Sequence, residues 1–342
     1  MINASSVPPM PDFQTFLGWK AEALAADPRL LDLSETRIAR SLHHLVPREQ
    51  VDQDEPAPDC LELGRLWLER VRLDRGWNVW FMPCRGVRDA LSRYFRAASQ
   101  RGWRVAIPSD VYPVYRELAE QAGYGPGLFP TFPDFDLRLI LRGCSRDGYH
   151  HVLLPYPLKL HGRAWTDEEV ETAIGWLKKG PGGLHQGHRL ILDGVYSFGM
   201  PADQNLMKLF ATGQVIYLNS LTKGWLREQV FGAVLLPFAE RQDFWALAPV
   251  LSGHPDRKVA RALIRDCPLV PRQVLGEVAL RHLGLRTRLL ERGLQARAWG
   301  ERGYLLGVEV EYRQLASRHG ILALPASVFG SAEPGWSLVS AL

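Results

Sequence analysis

What most constrains this chain is a succession of short apolar runs, each separated from the next by helical or turn-rich sequence. Trp77 to Met82 (WNVWFM), Trp103 to Ile107 (WRVAI), His151 to Leu154 (HVLL), Arg189 to Leu192 (RLIL), Val215 to Leu218 (VIYL) and Phe231 to Leu236 (FGAVLL) each have the length of one buried strand. Between several of them, Val87 to Gln100, Val114 to Gln121 and Thr166 to Lys179 read as helices. Strands without a polar alternation, separated by helices, predict an α/β chain with a largely parallel sheet covered on both faces. Thr166, with Glu169 three residues on, has the form of a capping box, and the glycine-rich stretch from Lys179 to His188 ends that helix. In such a sheet, ligands bind in the loops beyond the carboxyl ends of the strands. Chemistry is to be sought there.

From about Ser252 to Gly300 the sequence becomes Arg- and Leu-rich helix, and strand candidates follow at Tyr304 to Val310 and Ile321 to Leu324. This predicts an N-terminal segment (1–70), a large sheet domain (71–250) and a smaller C-terminal α+β domain (251–342). The 41 basic and 37 acidic residues leave a net charge of +4 spread along the chain, which argues against a nucleic-acid groove. Cys60, Cys84, Cys144 and Cys267 form no CxxC pair, so a reducing cytoplasm is expected rather than a disulfide framework, and no metal site is expected. Met1 to Phe16 lacks the basic-then-apolar layout of a signal peptide, and no apolar run reaches the roughly 18 residues of a membrane span. A soluble protein without a membrane partner is the expectation.

Two strand ends carry unusual groups. Asp193 closes one apolar strand, where a carboxylate is costly without a partner. Ser220, Thr222 and Lys223 follow another. Desolvation helps a lysine just beyond a buried strand to lose its proton, which suits it to Schiff-base chemistry. An aspartate on a neighbouring strand end is placed to keep a pyridinium nitrogen protonated. Taken singly, Asp193 reads equally well as a helix cap, and Lys223 reads more readily as a solvated lysine than as a catalytic one. Their order along the chain changes that balance.

The segments resemble, in order, those of the fold type I pyridoxal-phosphate (PLP) enzymes, specifically the class I/II aminotransferase group. Asp193-Gly-Val-Tyr196 resembles the family's D-x-x-Y, whose Asp meets the pyridine nitrogen and whose Tyr meets the phenolic oxygen. Ser220-Leu-Thr-Lys223 resembles S-x-[ST]-K, with Ser on the phosphate and Lys forming the Schiff base. Gly86-Val87-Arg88 resembles the turn and helix start that receive the phosphate, which suits backbone N–H groups at a helix N-terminus. Val111 to Tyr115 resembles the segment whose aromatic residue stacks on the ring, pointing to Tyr112. Leu31 to Glu35 resembles the N-terminal lining of the substrate pocket, and Ser327 to Gly330 the F-G turn near the C-terminus.

The chain departs from that pattern in three places. Where the family has N-P-x-N-P-T-G, whose second Asn binds the phenolic oxygen, this chain has Tyr156 to Gly162 with Lys159 at the Asn position. Lys159 either donates to that oxygen or points to solvent. After Lys223 the position of the family's phosphate-binding Arg falls on Val230, with Arg227 and Arg88 as alternative cations. The C-terminal Arg that grips a substrate carboxylate bidentately falls on Ser337 or Leu338, and no Arg follows Arg318. Either the substrate lacks that carboxylate or another group binds it, with His161, Lys159 and Arg37 as candidates.

The resemblance therefore implies a PLP-dependent aminotransferase, homodimeric, acting on small amine or amino-acid and carbonyl substrates. Lys223, Asp193 and Tyr196 are its expected catalytic residues. A PLP-dependent decarboxylase, lyase or oxidase-like enzyme is the alternative, and a non-catalytic binding module the alternative of another class.

Overall fold

The computed structural model describes residues 12–48, 50–52, 54–73, 79–111, 113–179, 187–237, 254–297 and 303–342. After a two-residue strand β1 (Leu31–Asp32) come β2 (Val79–Cys84), β3 (Val105–Pro108), β4 (Gly127–Phe129), β5 (His151–Pro155), β6 (Arg189–Asp193), β7 (Val215–Ser220) and β8 (Gly232–Pro237). Strands β2 to β8 form one sheet in the order β2-β8-β7-β6-β5-β3-β4. Pairing is parallel from β7 through to β4, whereas β8 runs antiparallel to both β7 and β2. The reason is chain length. Only Leu221 to Phe231 join β7 to β8, too few residues for a crossover helix, so the chain returns antiparallel.

Both faces of the sheet are buried, as the unbroken apolar runs require. Leu190 and Leu192 of β6 pack on one face with Leu141, Val170 and Leu209 from three helices. Ile191 between them packs on the other, with Leu91 and Phe95 of helix Val87–Arg101 and Tyr115 of helix Val114–Gln121. The capping box forms as the sequence predicts: Thr166 accepts from the Glu169 N–H, and Glu169 accepts from the Thr166 N–H.

The C-terminal part builds a second layer. Strands β9 (Ala296–Arg297), β10 (Leu305–Val308), β12 (Leu324–Pro325) and β13 (Ser337–Ser340) form an antiparallel sheet, and β11 (Ile321–Leu322) pairs in parallel with β1. Val274, Val278, Leu285 and Leu289 of helix Val270–Glu291 cover this layer together with Phe16, Ile38 and Leu42 from the N-terminal segment. The preceding helix, His254–Asp266, packs Ala260, Leu263 and Ile264 against the large sheet instead. Among the described residues, no helix is long and apolar enough to cross a membrane.

Candidate active site

Strands β5 and β6 end at one level, with Pro155 beside Asp193, and β7, where Leu218 lies beside Asp193, runs on to Ser220. That register carries the strand-end side chains into one place. Asp193 is 5% exposed. Its carboxylate accepts from the Tyr115 hydroxyl and, at 3.0 Å, from the Val195 N–H. Burial pushes the carboxyl's pKa up, opposed by those two bonds and by the charges of Lys159 and Lys223.

Ser220 ends β7 and starts the single turn Leu221–Gly224, which presents Lys223. The Lys223 Nζ donates to the Tyr304 hydroxyl at 3.4 Å and lies 5.4 Å from the centre of the Tyr196 ring. Tyr196 and Tyr304 share a hydrogen bond of 2.8 Å, and the Tyr304 hydroxyl reaches the Thr36 carbonyl at 3.3 Å. The turn bearing Tyr196 is braced from β7: Asn219 Nδ2 and the Tyr217 hydroxyl both donate to Ser197 Oγ, at 2.9 and 3.0 Å. Asp193, Tyr196 and Lys223 thus lie near one another at the strand ends.

Beside them Gly86 caps helix Val87–Arg101 with φ +143°, a conformation L side chains rarely adopt. A Cβ added there would lie 4.0 Å from the Ser220 Cβ, so the free N–H groups of that helix start and the Ser220 side chain share one corner. Val87 is half-buried in the helix's first turn and Arg88 is exposed. Arg227 donates Nη2 to the Pro47 carbonyl at 3.1 Å, tying it to the N-terminal segment. Tyr112 lies outside the described residues.

No protein-family model matches this chain, and no curated protein matches it. Solved structures do. A putative kynurenine aminotransferase from Saccharomyces cerevisiae is 15% identical, with 97% of this chain and 92% of that one covered and a TM-score of 0.72. A probable N-succinyldiaminopimelate aminotransferase from Thermus thermophilus is 19% identical over 96% and 95%, with a TM-score of 0.70. An Escherichia coli protein with a methionine aminotransferase function is 15% identical over 98% and 95%, at 0.69. This chain has the aminotransferase fold. The likeness is one of architecture, the fold type I arrangement of a large, mostly parallel sheet with a smaller α+β layer.

Within the aminotransferase fold, the departures from the family pattern acquire places. Of Ser337 and Leu338, between which the pattern leaves the position of the carboxylate-binding Arg, Leu338 is fully buried in β13 and Ser337 donates its hydroxyl to the Val310 carbonyl at 2.6 Å. Of the substitutes, His161 is buried with its Nε2 2.8 Å from the Thr131 carbonyl, and Arg37 is exposed at the start of the short helix Ile38–Ser41. Lys159 turns inward. Its Nζ lies 5.4 Å from the centre of the Tyr196 ring and 4.7 Å from that of Phe329. Burial and the Lys223 charge push the Lys159 pKa down to about 7, against the pull of Asp193.

Sequence reasoning does not single out two of these side chains. The motif points to Tyr112 rather than Tyr115, although an aromatic at the start of a helix packed on the sheet is a signal for inward placement. Tyr304 opens a strand candidate and carries no motif. Its part in the site comes from tertiary contact alone.

Proposed function

We propose that this chain is a pyridoxal 5'-phosphate-dependent aminotransferase that moves an amino group from an amine or amino-acid donor to a carbonyl acceptor. The observation that carries this reading is Lys223 and Asp193 at neighbouring strand ends within an aminotransferase fold. The residues present fit the cofactor. A carboxylate as buried as Asp193 gains from a cation, which a protonated pyridine nitrogen supplies. Gly86, the Val87 helix start and Ser220 make a corner suited to a phosphate. Arg88, in that helix's first turn, is the cation proposed beside it, since Arg227 engages the Pro47 carbonyl.

When bound, the protonated ring draws off the electron pair released at the substrate Cα. Asp193 holds the ring nitrogen in its charged form, and Tyr115 fixes the Asp193 carboxylate. Tyr196 donates toward the phenolic oxygen. Lys223 would hold the cofactor, and its Nζ would carry a proton to and from the substrate Cα. Tyr304, bonded to Lys223 and Tyr196, keeps that amine aimed.

The aminotransferases of like structure act on unlike substrates, so they support a class rather than one compound. A cytoplasmic homodimer, and a division into 1–70, 71–250 and 251–342, belong to the same proposal. A decarboxylase, lyase or oxidase-like enzyme is favoured only by the missing C-terminal Arg, and a binding module has no use for Lys223 and Asp193 together. A required 2-oxo acid acceptor separates transamination from the other reactions.

The test is the absorption spectrum of purified protein supplied with PLP, before and after borohydride. A visible band that disappears on reduction, with the added mass on the Lys223 peptide, is expected. In Lys223→Ala that mass is absent and turnover falls at least about a thousandfold. A wild-type protein that takes up no PLP overturns the reading.

A further inference from the structure

Behind the turn that bears Tyr196 lies a cavity of about 180 Å³, and none of Asp193, Ser220, Lys223 or Tyr304 lines it. Tyr156, Tyr217, Val71 and Leu206 of its wall belong to the core on one face of the sheet. Tyr115, which bonds Asp193, belongs to the core on the other face. The cavity is therefore separate from the cofactor site, with Tyr196 as a shared wall. An engineered protein cavity of about 150 Å³ accepts benzene, so this space admits a ring-sized group.

Its walls favour one kind of charge. Three of them are tyrosines, each with its hydroxyl already in a hydrogen bond: Tyr156 to Asp203 at 2.7 Å, Tyr217 to Ser197 at 3.0 Å and Tyr196 to Tyr304 at 2.8 Å. What they offer an occupant is the ring, whose face attracts cations. Asp203 is the one charged residue among those lining the space. Its Oδ1 takes both the Tyr156 hydroxyl and, at 2.8 Å, the Leu206 N–H, and its Oδ2 has no partner among the described residues. Met200 and Leu275 add apolar wall. The shape is fixed from several sides. The Ala202 N–H donates to the Val71 carbonyl at 2.9 Å, and Arg70 Nε donates to the Gly199 carbonyl at 3.2 Å. Tyr217 fits beneath the turn because residue 194 is glycine, where a Cβ would lie 2.2 Å from its ring.

We propose that this cavity is a second binding site, for a small organic ammonium ion whose apolar body is no larger than about one ring. The ammonium donates to Asp203 and lies against the tyrosine rings, while the body packs on Met200, Leu206 and Leu275. A charge-assisted hydrogen bond and the ring faces act together on one cation, and a neutral molecule of the same shape has neither. The occupant touches the turn that carries Tyr196, so the site is placed to report an amine to the cofactor site without entering it. The proposal stands apart from the PLP reading above, since no residue assigned to Schiff-base formation lines the cavity.

The experiment uses the full chain near neutral pH, without added PLP. Benzylammonium and N,N-dimethylbenzylammonium, the second of which cannot form a Schiff base, are titrated calorimetrically, with benzyl alcohol and phenylacetate as neutral and anionic controls. Wild type is expected to bind both ammonium ions at about millimolar strength or tighter, benzyl alcohol at least about tenfold more weakly, and phenylacetate not at all. Its melting temperature should rise with ammonium concentration. Asp203→Asn keeps a good helix cap and is expected to lose at least about tenfold in ammonium affinity while binding benzyl alcohol as before. Leu275→Trp, which fills the space, should bind neither, and its melting curve shows whether it folds. Lys223→Ala should bind the ammonium ions like wild type. No binding by wild type up to about 10 mM overturns the proposal, as does equal ammonium binding by wild type and Asp203→Asn. A preference for phenylacetate, or loss of ammonium affinity in Lys223→Ala, also overturns it, the latter by assigning the amine to the cofactor site. Failure of the PLP reading shows instead as the missing visible band, which none of these titrations measures.

Discussion

Lys159 offers the sharpest residue-scale prediction, because its pKa is pushed down to about 7 from the ordinary 10.5. The groups facing it are Lys223, Asp193 and the Tyr196 and Phe329 rings, and burial outweighs them all. Between those two pKa values the unfolded chain binds a proton there that the folded protein does not, so stability rises with pH through the window. The penalty is complete below about pH 7 and gone above the ordinary lysine value. Lys159→Met, free of PLP, should therefore melt a few degrees above wild type near neutrality, with the gain fading as the pH approaches 10.5. Thermal unfolding across that range checks it. A gain that grows with pH would contradict the sign. At this scale Asp193 and Lys223 were legible, because a charged residue at the end of an apolar run has few uses. Tyr115 was not, since choosing between it and Tyr112 requires knowing which face of its helix meets the sheet.

At the scale of elements, the helix Asp167–Lys178 shows how a local signal serves a distant site. Thr166 and Glu169 were readable as a capping box, and they form one. What the sequence did not disclose is that Glu169 also takes both ends of the Arg163 guanidinium and so anchors the Lys159 loop. Thr166→Ala should lower stability by about 1 kcal/mol, read from the denaturant midpoint, and leave turnover within about twofold. A large fall in turnover with unchanged stability would mean that the cap acts on the loop rather than on the helix. The strands followed the same division. Those of the large sheet with long apolar runs were expected within a few residues of where they lie. Gly127–Phe129 was not, because a three-residue edge strand has too few positions to show a pattern. Ser337–Ser340 (SLVS) shows no alternation over its single short span, and its burial comes from the strands on either side.

At the scale of the whole molecule, Tyr304 joins parts that are far apart in the chain: the N-terminal segment at Thr36, the sheet end at Tyr196 and the catalytic candidate Lys223. Tyr304→Phe should lower kcat by roughly tenfold with little change in PLP affinity, since one hydrogen bond to a charged group is worth about 1.5–3 kcal/mol. A pH–rate profile for the variant, with its limb shifted relative to wild type, would show that the loss acts through the Lys223 amine; loss of PLP binding instead would assign Tyr304 to the fold. The sequence by itself determined the α/β class, the order of the chemical segments and the strand ends at which they lie. Those properties are written in local periodicity and in residues only a few positions apart. The tertiary structure alone decided which of His161, Arg37 and Lys159 turns inward, that β8 runs antiparallel beside β2, and that Tyr115 and Tyr304 belong to the site. Each depends on contacts between residues far apart in the chain, where the packing of two layers, and not the spacing of one segment, sets which side chain meets which.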